Sequence, residues 1–248
     1  YLNPMSFLYE EPLNLLKQEV REPAIYNAII TAVATGHSRM SEISTKVGES
    51  TTVCSGYLKN LISLGIIKKE TPYGEKISKK SIYSIEDNMF RFWYRFIPDN
   101  ASLIVRGASD LAYQRIRPQL SDYMGKIFED ICTQYLWQLL LNGKSPVFFK
   151  ELGRWWGTDP ATHAQTEIDI MGEQDKNTAL FCECKWTNDL VDFGVLELLV
   201  HRSQLFHYNS THLFLFSKNG FTSGCTEMAE KLGNVTLVSY SDIYGSCQ

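Results

Sequence analysis

Between residues 22 and 85 apolar side chains recur first at helical and then at strand-like spacing. Ile25, Ile29, Ile30 and Val33 share one face of a helix that Gly36 ends. Ser41 is placed to cap a second, short helix with Ile43 and Val47 inward and Gly48 closing it. Thr51 or Thr52 opens a third helix, which carries Val53, Tyr57, Leu58, Leu61 and Leu64 and ends at Gly65. "IIKKE", a turn with Pro72 and Gly74, and "KSIYSI" then read as a two-stranded ribbon. The aromatic run "DNMFRFWYRFIPDN" reads as a short packed helix ended by Pro98. A long helix follows from Pro118 to about Leu141, with Leu120, Met124, Ile127, Phe128, Ile131, Tyr135 and Leu139 as its apolar stripe. Five strand-like runs come next: "PVFFK", "TEIDIMG", "ALFCECKW", "HLFLFS" and "VTLVSY". Between the third and fourth, "VLELLVHRSQLFHY" has helical periodicity.

Helix, three strands, helix, strand and strand describe an α/β (α+β) domain with a mixed central sheet. Three helices and a ribbon are the order of a winged helix-turn-helix. The expected organisation is an N-terminal arm over residues 1–20, a winged helix over 21–87, an aromatic-rich helical linker over 88–117, and the mixed-sheet domain over 118–248.

The chain's 248 residues have room for one large or two smaller domains. No run of about 18 apolar residues occurs, so no membrane span is expected. The opening "YLNPMSFLYEEP" has no initiator Met and no signal segment, which reads as a piece of something longer. Cys54, Cys132, Cys182, Cys184, Cys225 and Cys247 are irregularly spaced with no CxxC, so a reducing, cytoplasmic setting fits better than a disulfide framework. No glycine-rich GxxxxGK[ST] phosphate loop is present.

Net charge is −4. The first hundred residues hold 12 Lys and Arg against 11 Asp and Glu, which leaves 12 against 17 for the rest. DNA contact therefore has to come from small basic patches, or from a metal that offsets the acidic excess. The third helix offers Ser55, Lys59 and Asn60, and the ribbon offers Lys68, Lys69, Lys76, Lys79 and Lys80 against Glu70 and Glu75. Arg154, in "GRWWG", is placed to meet a phosphate, while Trp155 and Trp156 read as rim or core packing.

The stretch "LFCECKWTN" puts Glu183 and Lys185 into a run that otherwise reads as buried strand. Strand side chains alternate, so Cys182 and Cys184 share one face and Glu183 and Lys185 the other. The cysteines are expected to be small core residues, not a thiol site. In "TEIDIMG", Ile168 and Ile170 alternate with Glu167 and Asp169. "GEQDKN" joins the two runs as a hairpin. A centre near residue 175 makes Asp169 and Glu183 diagonal neighbours, and a centre one residue later makes them directly opposite. Either way their Cβ atoms lie about 5 to 8 Å apart. Two carboxylates that close repel, and a divalent cation such as Mg²⁺ relieves the repulsion. Lys185 can hydrogen-bond a water or a phosphate oxygen, and Glu129 on the long helix can supply a third carboxylate.

Glu129 on a helix, Asp169 on one strand and Glu183-x-Lys185 on the next resemble the active site of the PD-(D/E)XK phosphodiesterases, the restriction-endonuclease-like fold. That resemblance implies that Asp169 and Glu183 bind Mg²⁺ (or Mn²⁺) with the main-chain carbonyl of Cys184. It gives Glu129 the place of an outer ligand and Lys185 that of orienting the attacking water. Gln204 and Tyr208, four apart, match the QxxxY motif of RecB-like members of that fold. The order of "LYEEPLNLL", "YNAIITAVATG", "SEISTKVG", "YLKNLISLGII", "YSIEDNMFRFWYRFI", "GKIFEDIC", "LGRWWG", "EIDIMG" and "CECKW" resembles the C-terminal half of the archaeal-type AAA+ ATPases. This second resemblance makes residues 1–17 the tail of an ATPase lid and places the ATP-binding core upstream of Tyr1. Where similar proteins often carry a basic residue shortly before the strand-two aspartate, this chain has "THAQTE".

Two functions follow as expectations. One is a Mg²⁺-dependent DNA phosphodiesterase with a winged helix holding the DNA. The other is a non-catalytic DNA- or protein-binding module that regulates the ATPase. A purely structural dimerisation domain would leave the carboxylates without a role, and self-association stays open under both expectations.

Overall fold

The computed structural model describes residues 1–75 and 79–245. Lys76 and Cys247 lie outside the described residues. The chain is mixed α/β and divides into two compact units. One takes residues 1–71 and continues to 118. The other takes residues 72–75 and everything from 119 onward.

In the first unit the elements are α1 (Phe7–Glu19), α2 (Pro23–Ala34), α3 (Met40–Val47) and α4 (Thr51–Ser63), then the strands β1 (Ile67–Glu70) and β2 (Ile82–Ile85). After these come α5 (Asn88–Phe96), α6 (Ala101–Val105) and α7 (Ser109–Ile116). β1 and β2 pair antiparallel, from Ile67 with Ile85 to Glu70 with Ile82. Leu16, Ile29, Ile30, Ile43, Leu58 and Leu61 are buried in one core together with Phe90 and Trp93 of α5. The Asp87 carboxylate caps α5 by accepting the N–H groups of Met89 and Phe90. Ser41 does not cap α3. The Glu42 carboxylate instead reaches back to the N–H groups of Ser38 and Arg39, because a longer acid three residues in can satisfy the orphan donors of the first turn.

The second unit opens with α8 (Leu120–Leu141), then β3 (Gly153–Thr158), β4 (Gln165–Glu173) and β5 (Thr178–Lys185). It continues with α9 (Phe193–Ser203), β6 (Ser210–Ser217), α10 (Ser223–Leu232), β7 (Val235–Ser239) and α11 (Tyr240–Gly245). The five strands lie in chain order, with β3, β4 and β5 antiparallel and β5, β6 and β7 parallel. α8 and α11 pack on one face through Phe128, Cys132, Leu136 and Ile243. α9 and α10 pack on the other through Leu196, Leu199, Cys225 and Ala229. β5 is central and covered on both faces, which is why its sequence is a near-continuous apolar run.

Three expectations change. "PVFFK" is not a strand. Val147 and Phe149 are buried from an irregular segment, and "GRWWGT" forms the first strand instead. A helix, α10, stands between the last two strands, as a parallel crossover demands. The fully buried stripe of α8 is Phe128, Cys132 and Leu136, so it runs one position off the expected line.

Candidate functional site

The site is built where β4 and β5 part. Their ladder runs from Glu173 with Ala179 to Ile170 with Cys182 and stops there. Asp169 and Glu183 are the next positions out, and the register of the ladder centres the hairpin on residue 176. On the far side of β4, Gly153 pairs with Met171 but Trp155 with Ile168, which leaves one extra residue in β4 at this point. A bulge re-aims the side chains around it. It explains why Ile168 and Ile170, two apart, lie in opposite cores, against the expected simple alternation. Asp169 fills the opening: its Oδ2 accepts the main-chain N–H of Cys184 at 2.8 Å.

On β5 the alternation is regular. Cys182 and Cys184 face α8, and burial pushes both thiols well above their ordinary pKa, so neither supplies a thiolate. Glu183 faces the other way and is only 3% exposed. Lys185 Nζ donates to its Oε1 at 2.6 Å, and Arg202 Nη1, from the last turn of α9, donates to its Oε2 at 2.7 Å. Glu129, on α8, is paired with Lys126.

Asp169 carries the electrostatic signature. Burial, then the charges of Glu183 and Glu129, push its carboxyl up to about 7, against the opposing pull of the Cys184 N–H and Lys185. Burial draws the Lys185 ammonium down, but the neighbouring Glu183 carboxylate more than offsets this, and its pKa ends above the ordinary value. Near the same helix end, the His201 Nε2–H donates to the Asp159 carboxylate at 2.8 Å. This bond and the Ala161 N–H hold the Asp159 carboxyl at about 2.

The structure thus brings Glu129, Asp169, Glu183, Lys185 and the Cys184 main chain together, and adds Arg202, which sequence reasoning missed. The available signal was a basic pair placed two and three residues after the buried Leu199 in an otherwise apolar helix. Gln204 and Tyr208 do not form a one-turn pair: α9 ends at Ser203, and Tyr208 hydrogen-bonds Glu173 from the following loop. Arg154 is ion-paired with Glu167. Ser55, Lys59, Lys68, Lys69, Lys79 and Lys80 belong to the first unit, where Lys68 is paired with Glu86 and Glu70.

Carboxylate oxygens are the donor type that Mg²⁺ or Mn²⁺ takes. As placed, they do not yet form such a site. Both Glu183 oxygens are held by cations, and among the described residues no group of three His, Cys, Asp or Glu is set to hold a metal ion.

Fold and side chains define a mixed α/β protein with an acidic and basic cluster at an opened strand end. Residues 93–197, which contain Glu129, Asp169, Glu183 and Lys185 but not Arg202, match the family model DUF234, described as archaeal and bacterial proteins of unknown function. The chain is 36% identical over 195 residues to an uncharacterized protein, MJECL04, of Methanocaldococcus jannaschii. The match covers 78% of this chain and 42% of that protein, so the chain spans less than half the length of this curated relative. Among solved structures, protein VC1899 from Vibrio cholerae is 14% identical with a TM-score of 0.38, covering 96% of this chain and 54% of that one. An O-methyltransferase from neocarzinostatin biosynthesis, also 14% identical, scores 0.22 over 87% of this chain and 64% of its own. Neither likeness is close enough to bear on fold or chemistry. Among the described residues, no helix is long and apolar enough to cross a membrane.

Proposed function

We propose that the second unit is a phosphodiesterase of the PD-(D/E)XK nuclease kind, dependent on Mg²⁺ or Mn²⁺. In this reading the first unit is a winged helix that holds DNA, and both belong to the C-terminal part of an ATPase. The observation that carries it is the gathering of Glu129, Asp169 and Glu183 around one opened strand end, where burial first and the two like charges second push Asp169 up to about 7. Structural acids are usually paired or solvated, and a carboxylate kept under like-charge pressure marks a functional site. A divalent ion, when bound, would supply the charge that favours the ionised form of Asp169 beside Glu183 and Glu129. Lys185 is placed to orient a water and to meet charge developing on a phosphate. For the first unit, support comes from the three helices α2, α3 and α4, the antiparallel β1–β2 ribbon, and the exposed Lys59 and Lys69.

Cleavage of plasmid, branched and single-stranded DNA with Mg²⁺ or Mn²⁺, by the wild type and by Lys185→Ala, tests the assignment. The variant is expected to lose at least about a hundredfold in rate. Equal rates would remove the catalytic reading. One observation favours a second reading, a non-catalytic DNA- or protein-binding module regulating the ATPase: Glu183 is already neutralised by Lys185 and Arg202. Absence of Mn²⁺ binding at millimolar metal, with DNA binding intact in Asp169→Ala, would favour that module.

A further inference from the structure

Past the end of α9 the second unit holds a cavity of about 540 Å³, within the size range of small-ligand sites. The last turn of α9, the loop after it, the start of β6 and the passage from α10 to β7 line it. Among the described residues no Lys, Arg, Asp or Glu lines this cavity. A phosphate or a metal ion would find no compensating charge there. The lining offers instead three amides, Gln204, Asn209 and Asn234, and three rings, Phe206, His207 and Tyr208. The Phe206 and Tyr208 rings lie within 29° of parallel and are held from behind by Phe181. The Tyr208 hydroxyl is spent on Glu173, so its ring is what remains to offer. Asn209 gives its amide N–H to Asn177 and Asn234 gives its own to the Thr211 carbonyl, which leaves an amide oxygen on each. The Gln204 amide and the His207 ring have no hydrogen-bond partner among the described residues.

A ligand that suits such a lining is flat, uncharged and edged with both donors and acceptors. A nucleobase has that chemistry: its face stacks on aromatic rings and its edge pairs with side-chain amides. In a duplex the face is stacked and the edge is paired, so only an unpaired base can enter a pocket of this kind. Val200 and Ser203 line the cavity, and Arg202 between them reaches Glu183, so cavity and cluster share the last turn of α9. We propose that this cavity takes one unstacked base of a single strand, stacked on the aromatic wall and read at its edge by Gln204 and His207. The inference shares with the phosphodiesterase reading the premise that this chain meets nucleic acid. To that premise it adds the form of the substrate, an unpaired strand, and it needs no metal.

Fluorescence anisotropy with the full chain in EDTA measures this, with three labelled probes: a single strand of mixed sequence, the same backbone with abasic sites throughout, and a paired duplex. The wild type is expected to bind the base-bearing strand about tenfold tighter than the abasic one. Gln204→Ala and His207→Ala are each expected to remove most of that preference while leaving the abasic strand and the duplex bound as before. Both positions are exposed, so neither change disturbs the core. Gln204→Glu keeps the shape of the side chain but cannot donate, and is expected to lose the preference as well. Equal affinity for the strand with and without bases, or a preference that survives all three variants, overturns the proposal. A loss that falls equally on all three probes overturns it too, since the two side chains would then serve binding through no base. Mn²⁺-dependent cleavage by the wild type is scored separately. Base-dependent binding without cleavage keeps the cavity and removes the phosphodiesterase reading, and cleavage without base preference does the reverse.

Discussion

Glu183 draws Lys185 and Arg202, and Glu129 draws Lys126, but among the described residues Asp169 has only the N–H of Cys184 as a hydrogen-bond partner. Its carboxyl rises from 3.8 to about 7 because folding buries it beside two like charges. A folded-state pKa above the unfolded one means that the folded chain takes up a proton between about pH 4 and about pH 7. Through this group the fold is therefore favoured at the acid end of that window and penalised above it. Asp169→Asn removes the penalty and keeps an acceptor for Cys184. At pH 8 the variant is expected to be more stable than the wild type by up to about 4 kcal/mol, the gain vanishing toward pH 4. Urea midpoints at the two pH values check this. At this scale the sequence was legible where alternation is regular: the Glu183–Lys185 face and the inward cysteines follow from β5 alone. Arg202 was not legible, because its partner lies 19 residues back on another element and nothing local links them.

The opened ladder and the bulge in β4 do together what neither strand does alone. They turn Asp169 out of the pleat and into the gap beside Cys184. A little further along β4, Gly172 is packed so closely that an added Cβ would lie 2.7 Å from Leu152 Cδ2 and 3.2 Å from the Glu151 carbonyl oxygen. Gly172→Ala is expected to destabilise the second unit by about 1 to 3 kcal/mol, since a backbone atom cannot step aside. A lower denaturant midpoint with an unchanged slope would register it. Element reading succeeded for β4, β5, β6 and β7, whose apolar runs are continuous or alternating. It failed for β3, where two adjacent tryptophans and two glycines break any period of two, and the three consecutive apolar residues of "PVFFK" drew the assignment instead. It failed for α10 because that helix buries only Cys225 and Ala229, two small side chains that leave almost no periodic signal.

At the scale of the whole chain, the order of residues and the order of packing disagree in one place. Residues 72–75 lie in the sequence between β1 and β2, yet they belong to the second unit. There the Tyr73 N–H donates to the Arg154 carbonyl at 2.8 Å and its hydroxyl accepts the Glu173 N–H at 3.1 Å. Its ring lies against Gly153, where even a methyl would crowd it. Tyr73→Ala is expected to cost the second unit about 2 to 3 kcal/mol, and Tyr73→Phe about 1 kcal/mol for the orphaned amide. Both should appear as a lowered thermal transition of that unit, followed by the near-ultraviolet signal of its tryptophans. No periodicity in "TPYGEK" announces this, because a single anchoring ring has no repeat to read. The shortest stretch of gene encoding everything the large sheet leans on therefore begins no later than codon 72, inside what linear order would assign to its neighbour. A clone started at codon 119 would yield a protein missing one of its own supports.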